Sequence, residues 1–172
     1  MSNSVDQKSE LRKQFLTMRR QMEAGDMELR SEKLNKILSN EIDWSEIKKV
    51  HCFLPIVDDN EPDLRSLITS LVKQGVQIYT SNPPAKSVAT PVNTKLENFS
   101  LDQATEFDLI VVPMIVYDPA TNHRLGFGGG FYDRLLKSQP GAQKIGVCFK
   151  EFRIDNLPIE SHDQPLQKIF AV

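Results

Sequence analysis

The sequence predicts an α/β fold: a three-layer α/β/α domain, Rossmann-like, with a mostly parallel sheet and N-terminal helices. Three observations carry this. Strand-like runs at 49–54 and 76–80 flank a helical stretch and form one βαβ unit. A second unit follows from the run at 107–113, a helix near 130–138 and a strand at 144–149. The run Phe107-Asp-Leu-Ile-Val-Val-Pro113 is almost continuously apolar, as a strand covered on both faces must be.

Each element has a local reason. Leu11, Phe15, Met18 and Met22 recur at helical spacing and predict a helix over 5–24. Asp26 is the expected N-cap of a second helix over 27–39, whose apolar face holds Leu34, Ile37 and Leu38. A strand over 49–54 stops at Pro55. Pro62 suits the first turn of a helix running through Leu64, Leu67, Ile68, Leu71 and Val72, and Gly75 suits its end. A strand over 76–80 follows. Pro83, Pro84 and Pro91 make 81–106 a loop-rich excursion with room for short edge strands. After the strand at 107–113, residues 114–129 read as a long loop. A helix over 130–138 and strands at 144–149 and 168–172 complete the pattern.

Composition bounds the function. The chain has 172 residues, with 21 Lys and Arg against 23 Asp and Glu, a formal charge of −2. That balance argues against a dedicated nucleic-acid binder. No apolar run approaches the ~20 residues of a membrane-spanning helix, and residues 1–13 have no signal-peptide core. One domain over 1–172, cytoplasmic and monomeric, is expected. Cys52 and Cys148 lie in strand-like runs without metal spacing and read as buried thiols.

The chemistry concentrates in Arg124-Leu125-Gly126-Phe127-Gly128-Gly129-Gly130-Phe131-Tyr132-Asp133. Four of the eight glycines fall there. A glycine loop opening a helix makes an anion site, because the first N–H groups lack helical partners. It also reads as a flexible closure onto a helix. Phe131 breaks the dinucleotide fingerprint, and no Lys-Ser/Thr pair makes a P-loop. Arg124 adds charge suited to phosphate. Asp133 either complements the helix dipole or holds Mg²⁺. Lys8 and Arg12 share one helix face, either solvated or reaching phosphates. Glu61 either caps the helix start or hydrogen-bonds a polar heterocycle, and Asp163 is a cap or a second metal carboxylate. His51, His123 and His162 show no ligand spacing, and none is assigned a catalytic role.

Assembled in order, these segments resemble the 5-formyltetrahydrofolate cyclo-ligase family. The matches are Lys8-x-x-Leu11-Arg12, Phe53-Leu54 with the acidic stretch to Glu61, 107–113, Arg124–Asp133, 144–149, and Leu157-Pro158 with His162-Asp163. The specific one is the R-L-G-x-G-x-G-[FY]-Y-D run. The resemblance implies ATP as co-substrate, Mg²⁺, and closure of 5-formyltetrahydrofolate to 5,10-methenyltetrahydrofolate through a phosphorylated formyl group. It implies that Lys8, Arg12 and 124–132 bind nucleotide, with Lys8 and Arg124 assisting the chemistry. Ile56, Glu61 and 127–131 are implied as folate contacts, and Asp133 and Asp163 as Mg²⁺ ligands. The sequence departs at Phe131, where many relatives have Tyr, and at Gln167, where the family usually has an acid. Those departures motivate the alternative of a non-catalytic nucleotide- or folate-binding relative. A sugar-phosphate or CoA-handling enzyme of similar build rests on fold analogy alone.

Overall fold

The structure, a computed structural model, describes residues 4–81 and 88–172. Helices α1 (Ser4–Arg20) and α2 (Ala24–Glu41) lead into strand β1 (Lys49–Cys52), helix α3 (Arg65–Lys73) and strands β2 (Gln77–Thr80) and β3 (Glu97–Asn98). Then come β4 (Leu109–Pro113), the short strands β5 (Val116–Asp118) and β6 (His123–Leu125), helix α4 (Phe131–Ser138), β7 (Gln143–Cys148) and β8 (Lys168–Ala171). Six strands form one sheet in the order β3-β2-β1-β4-β7-β8, and every pairing in it is parallel. The step from β1 through α3 to β2 runs one way along the sheet. The step from β4 through α4 to β7 runs the other way. Right-handed crossovers therefore put α3 and α4 on opposite faces, the three layers that the sequence predicts. The chain changes direction between β1 and β4, where an open parallel sheet places its ligand site.

The hydrophobic logic holds in the centre. All five residues of β4 are buried, since helices cover both faces. Cys52 and Cys148 are buried among apolar neighbours, and desolvation pushes both thiols up to about 12. No helix among the described residues is long and apolar enough to cross a membrane.

Several expectations are corrected. Helix α1 ends at Arg20 rather than 24, and the Leu11-Phe15-Met18-Met22 stripe holds only in part: Phe15 is buried and Leu11 and Met22 pack against the core. Met18 is exposed, while Lys8, Phe15 and Arg19 are buried. Asp26 is not the N-cap of α2. Glu23 precedes the helix, and Asp26 sits in its first turn, paired with Arg30 at 2.9 Å. Helix α3 begins at Arg65, not Pro62; the Asp63 carboxylate accepts from Arg65 N at 2.9 Å and starts it there. The span 114–129 is not all loop, because β5 and β6 pair as an antiparallel hairpin. The expected edge strand in 81–106 exists as β3, whereas Pro83 and Pro84 lie outside the described residues.

Gly146 in β7 was not singled out by the sequence. A Cβ there would meet Met114 Cε at 2.1 Å and Leu166 Cδ1 at 2.6 Å. Gly146→Ala should therefore destabilise the protein by about 1–3 kcal/mol, the usual cost of overpacking a filled core. Chemical denaturation reads this directly, and an unchanged midpoint would mean that Met114 and Leu166 yield freely.

Candidate active site

The loops at the carboxyl ends of β1, β2 and β4 enclose a cleft of about 800 Å³ together with α1, the glycine loop and the 160–163 turn. That volume is typical of a site for a sizeable small molecule. Ile56 follows β1, Ser81 follows β2 and Pro113 ends β4. Each reaches the cleft because parallel strands deliver their following loops to one end of the sheet.

The β5–β6 hairpin carries the glycine loop to this end. Ile115 N donates to Leu125 O at 2.8 Å, so the loop leaves the hairpin from a fixed point. Gly128 has φ +96° and Gly130 has φ +63°, both in the region that side chains disfavour. Gly130 also caps α4, and Arg134 N donates to its carbonyl at 3.1 Å. Arg12 lies over the loop. Its Nε donates to Gly126 O at 2.8 Å, and a Cβ on Gly128 would stand 3.2 Å from its Cζ. The helix start, the open glycines and Arg12 together make a site for an anion. Arg12 has no ion pair among the described residues, so its charge is available to a ligand.

Arg124 is engaged within the protein. Its Nη2 donates to Asp133 Oδ1 at 3.0 Å and its Nη1 to Gln164 O at 2.7 Å. The same Asp133 oxygen accepts from Gln164 N at 3.1 Å. Arg124 and Asp133 thus tie the glycine loop to the turn at 160–164. Asp118, buried on β5, holds the chain ahead of that turn by accepting from Leu157 N at 3.2 Å.

Lys8 is not on a solvated face. It is 5% exposed, and its Nζ donates to Glu160 Oε2 at 2.8 Å and to Asp163 Oδ2 at 2.5 Å. Burial acts to depress the Lys8 ammonium, but the two carboxylates outweigh it and hold the group above the ordinary lysine value. Lys8 in turn holds Glu160 below the usual carboxylate range. Asp163 is also low: its partial burial works against this and is overcome by the Lys8 and Glu160 N–H hydrogen bonds. Glu160, His162 and Asp163 bring ligand atoms within 4.8 Å of one another. Asp133 lies outside this cluster, with one oxygen accepting from Arg124 and Gln164; the hard oxygens of Glu160 and Asp163 suit Mg²⁺ better than an imidazole-rich set would. Lys8 already occupies these acids with a positive charge, which shows that their position favours a cation.

Much of the cleft lining is apolar. Ile56, Phe99, Leu101, Phe127 and Phe131 line it, with Ser81 and Ser100 supplying hydroxyls. Phe131 packs edge-on to Tyr132 at 5.1 Å. Burial pushes the Tyr132 phenol well above its ordinary value, with the charges of Cys52 and Glu61 adding to the effect, so it stays neutral.

The structure brings Lys8, Arg12, Ile56, Arg124 through Asp133 and Asp163 into one cleft. It does not bring Glu61 to the lining. That side chain is buried behind Ile56, whose N–H donates to Glu61 Oε2 at 2.9 Å. Arg19, buried on α1, approaches from the other side: its Nη2 lies 3.9 Å from Glu61 Oε1, and its Nε donates to Asp59 O at 2.6 Å. Gln167 also lies outside the lining; its Oε1 accepts from Lys144 N at 2.7 Å, beside β7. Sequence reasoning missed Glu160, Ser81 and Phe99. Glu160 carried a signal, the close spacing of Glu160, His162 and Asp163. Ser81 and Phe99 carried none, because only the fold brings them together.

Comparison with known proteins identifies the family and supports the fold. Residues 4–172 match the profile of the 5-formyltetrahydrofolate cyclo-ligase family. A 5-formyltetrahydrofolate cyclo-ligase of Haemophilus influenzae is 37% identical over 68 residues, 38% of this chain and 36% of that protein. One from Mycoplasma genitalium is 29% identical over 146 residues, covering 83% of this chain and 84% of the relative. The solved 5,10-methenyltetrahydrofolate synthetase of Aquifex aeolicus superposes with a TM-score of 0.74 at 28% identity, over 95% of this chain and 89% of that one.

Proposed function

This chain belongs to the 5-formyltetrahydrofolate cyclo-ligase family, and from that premise we propose that it is an ATP- and Mg²⁺-dependent enzyme closing 5-formyltetrahydrofolate to 5,10-methenyltetrahydrofolate. The observation that carries the reading is a single cleft whose lining combines cations and open glycines with aromatic rings. A phosphate donor and a flat heterocycle fit side by side in such a cleft.

In this reading the formyl oxygen attacks the γ-phosphorus of ATP and ADP leaves. N10 then attacks the activated formyl carbon, loses its proton, and inorganic phosphate departs with the former formyl oxygen. The amide oxygen is a poor leaving group and phosphate a good one, so the nucleotide supplies the driving force. The protein's tasks are positioning and charge stabilisation. The glycine loop and the α4 start offer N–H groups to phosphate oxygens. Arg12 brings a charge that has no ion pair among the described residues. Lys8 exchanges one of its two acids for a phosphate oxygen. Arg124 holds the loop and Asp133 in register. The aromatic wall, with Phe131 and Ile56, holds the pterin flat and excludes water. Asp133 and Asp163 would hold Mg²⁺, which neutralises phosphate charge when bound.

The test is a spectrophotometric assay with 5-formyltetrahydrofolate, ATP and Mg²⁺, following the near-ultraviolet absorbance of the methenyl product. Absorbance growth that stops when ATP or Mg²⁺ is omitted supports the reading. ATP binding without product would instead identify a non-catalytic relative. In the same assay Asp133→Asn should raise the Mg²⁺ requirement or abolish turnover. Wild-type magnesium dependence in that variant would remove Asp133 from the metal shell.

A further inference from the structure

His51 sits at the centre of the sheet, on β1, and is fully buried. Four aromatic rings surround it: Phe99 and Phe107 at 5.6 Å, Phe131 and Tyr132 at 5.8 Å. Desolvation pulls its pKa down to about 3, so the ring is neutral at any working pH. A buried imidazole in an apolar cage is costly unless its polar atoms are used. One is used: Nε2 lies 3.0 Å from Ser81 Oγ. The other, Nδ1, has no hydrogen-bond partner among the described residues. A phenylalanine would fill the cage without that cost.

The direction of the bond is determined by Ser81. Its hydroxyl donates to Phe99 O at 2.9 Å. A hydroxyl has one hydrogen and two lone pairs. With the hydrogen committed to Phe99, the imidazole must donate from Nε2, and Ser81 accepts. One lone pair of Ser81 remains. Ser81 lines the cleft beside Phe99 and Ile56. The result is a hydroxyl that cannot donate to a ligand and is held with its remaining acceptor capacity at the aromatic wall.

From this geometry we infer that Ser81 is a specificity-determining contact that accepts an N–H of the bound reduced pterin, and that His51 is its positioning residue. The inference rests on the cyclo-ligase reading and deepens it. A tetrahydropterin carries N–H groups on its ring and exocyclic amine. An acceptor-only point therefore favours it over a heterocycle that presents lone pairs at the same place. Ser81 is bonded to His51 and Phe99, in the aromatic part of the lining, and has no hydrogen bond to Lys8 or Arg12 among the described residues, so the contact is assigned to the folate and not to the phosphates.

Four variants test it: Ser81→Ala, His51→Phe, the double variant and His51→Gln, whose amide restores a donor near Nε2. Wild-type turnover in the assay above is measured first, and its absence would count against the cyclo-ligase reading alone. In that case the same variants are compared by calorimetric binding of 5-formyltetrahydrofolate. Ser81→Ala should raise the KM (or Kd) for 5-formyltetrahydrofolate about tenfold, the worth of one hydrogen bond, with the KM for ATP within twofold. His51→Phe should raise the folate KM in the same direction while the melting temperature holds or rises, which a purely structural histidine would not do. The double variant should match Ser81→Ala, and His51→Gln should return the folate KM toward wild type. A shift in the KM for ATP instead, no shift in either, or additive losses in the double variant would overturn the inference. If His51→Phe fails to fold, Ser81→Ala and His51→Gln decide alone.

Discussion

Lys8→Ala is expected to lower turnover about a hundredfold or more, the usual loss when one preorganised charge facing a transferring group is removed. The reason is double. The variant loses the ammonium offered to the phosphates, and it leaves Glu160 and Asp163 facing one another without their shared cation. Stability should report the same contacts through pH. Glu160 and Asp163 are held below the usual carboxylate range in the folded chain. Their stabilising contribution is therefore present at neutral pH and disappears as pH falls through that range. Lys8 is held above 10.5, so its contribution persists until pH rises past that value. The melting-temperature difference between wild type and Lys8→Ala should thus plateau at neutral pH and shrink at both extremes. A difference that stays constant down the acid limb, or turnover within a few-fold of wild type, would show that Lys8 is neither the counter-cation nor a phosphate ligand.

Gly128→Ala should be nearly as damaging to activity while leaving the fold in place. Two costs act together. The φ of +96° lies where an L side chain is strained, by about 1–2 kcal/mol, and the new Cβ would press on Arg12 Cζ at 3.2 Å. The loop can relieve the strain only by moving its N–H groups, and Arg12 can relieve the clash only by leaving Gly126 O. Both moves weaken the anion site. The KM for ATP should rise at least tenfold. Gly129→Ala provides the comparison, because a Cβ there meets nothing within 4 Å and the backbone is not in the left-handed region. Its loss should be much the smaller of the two. Equal losses would mean that the loop needs glycine for close approach of the ligand alone, and not for its own conformation.

These expectations show where the sequence was legible. The βαβ units could be read because β4 is buried on both faces and α3 is amphipathic over its whole length; each pattern repeats often enough to be recognised. Gly75 ends α3 with φ +88°, as its position suggests. The hairpin at 116–125 could not be read from periodicity, because each strand is three residues long. Only the turn composition of Asp118-Pro-Ala-Thr-Asn122, with Asn122 at φ +55°, gave a cue. Helix α1 misled in a more instructive way. A hydrophobic stripe assigns cations to the outside, yet Lys8 and Arg19 face inward, because the acids and carbonyls that receive them come from loops far along the chain. The site residues carried by one continuous motif, 124–133, were visible. The partner that fixes Arg124 and Asp133, Gln164, is supplied by tertiary packing and leaves no local pattern.

The bonds from Lys8 to Glu160 and Asp163 join residues 152 and 155 positions apart. During synthesis α1 emerges far ahead of the turn that neutralises it, by roughly 8–30 s at ordinary elongation rates. Over that interval the nascent chain presents Lys8 without its acids, and the sheet lacks β7 and β8. The cleft therefore has no assembled form on the ribosome, and a small molecule that fits it cannot rescue a partly made chain. A ligand of the cleft can stabilise the chain only once the 160–164 turn has docked, so it would protect the finished protein against unfolding without guiding its first folding.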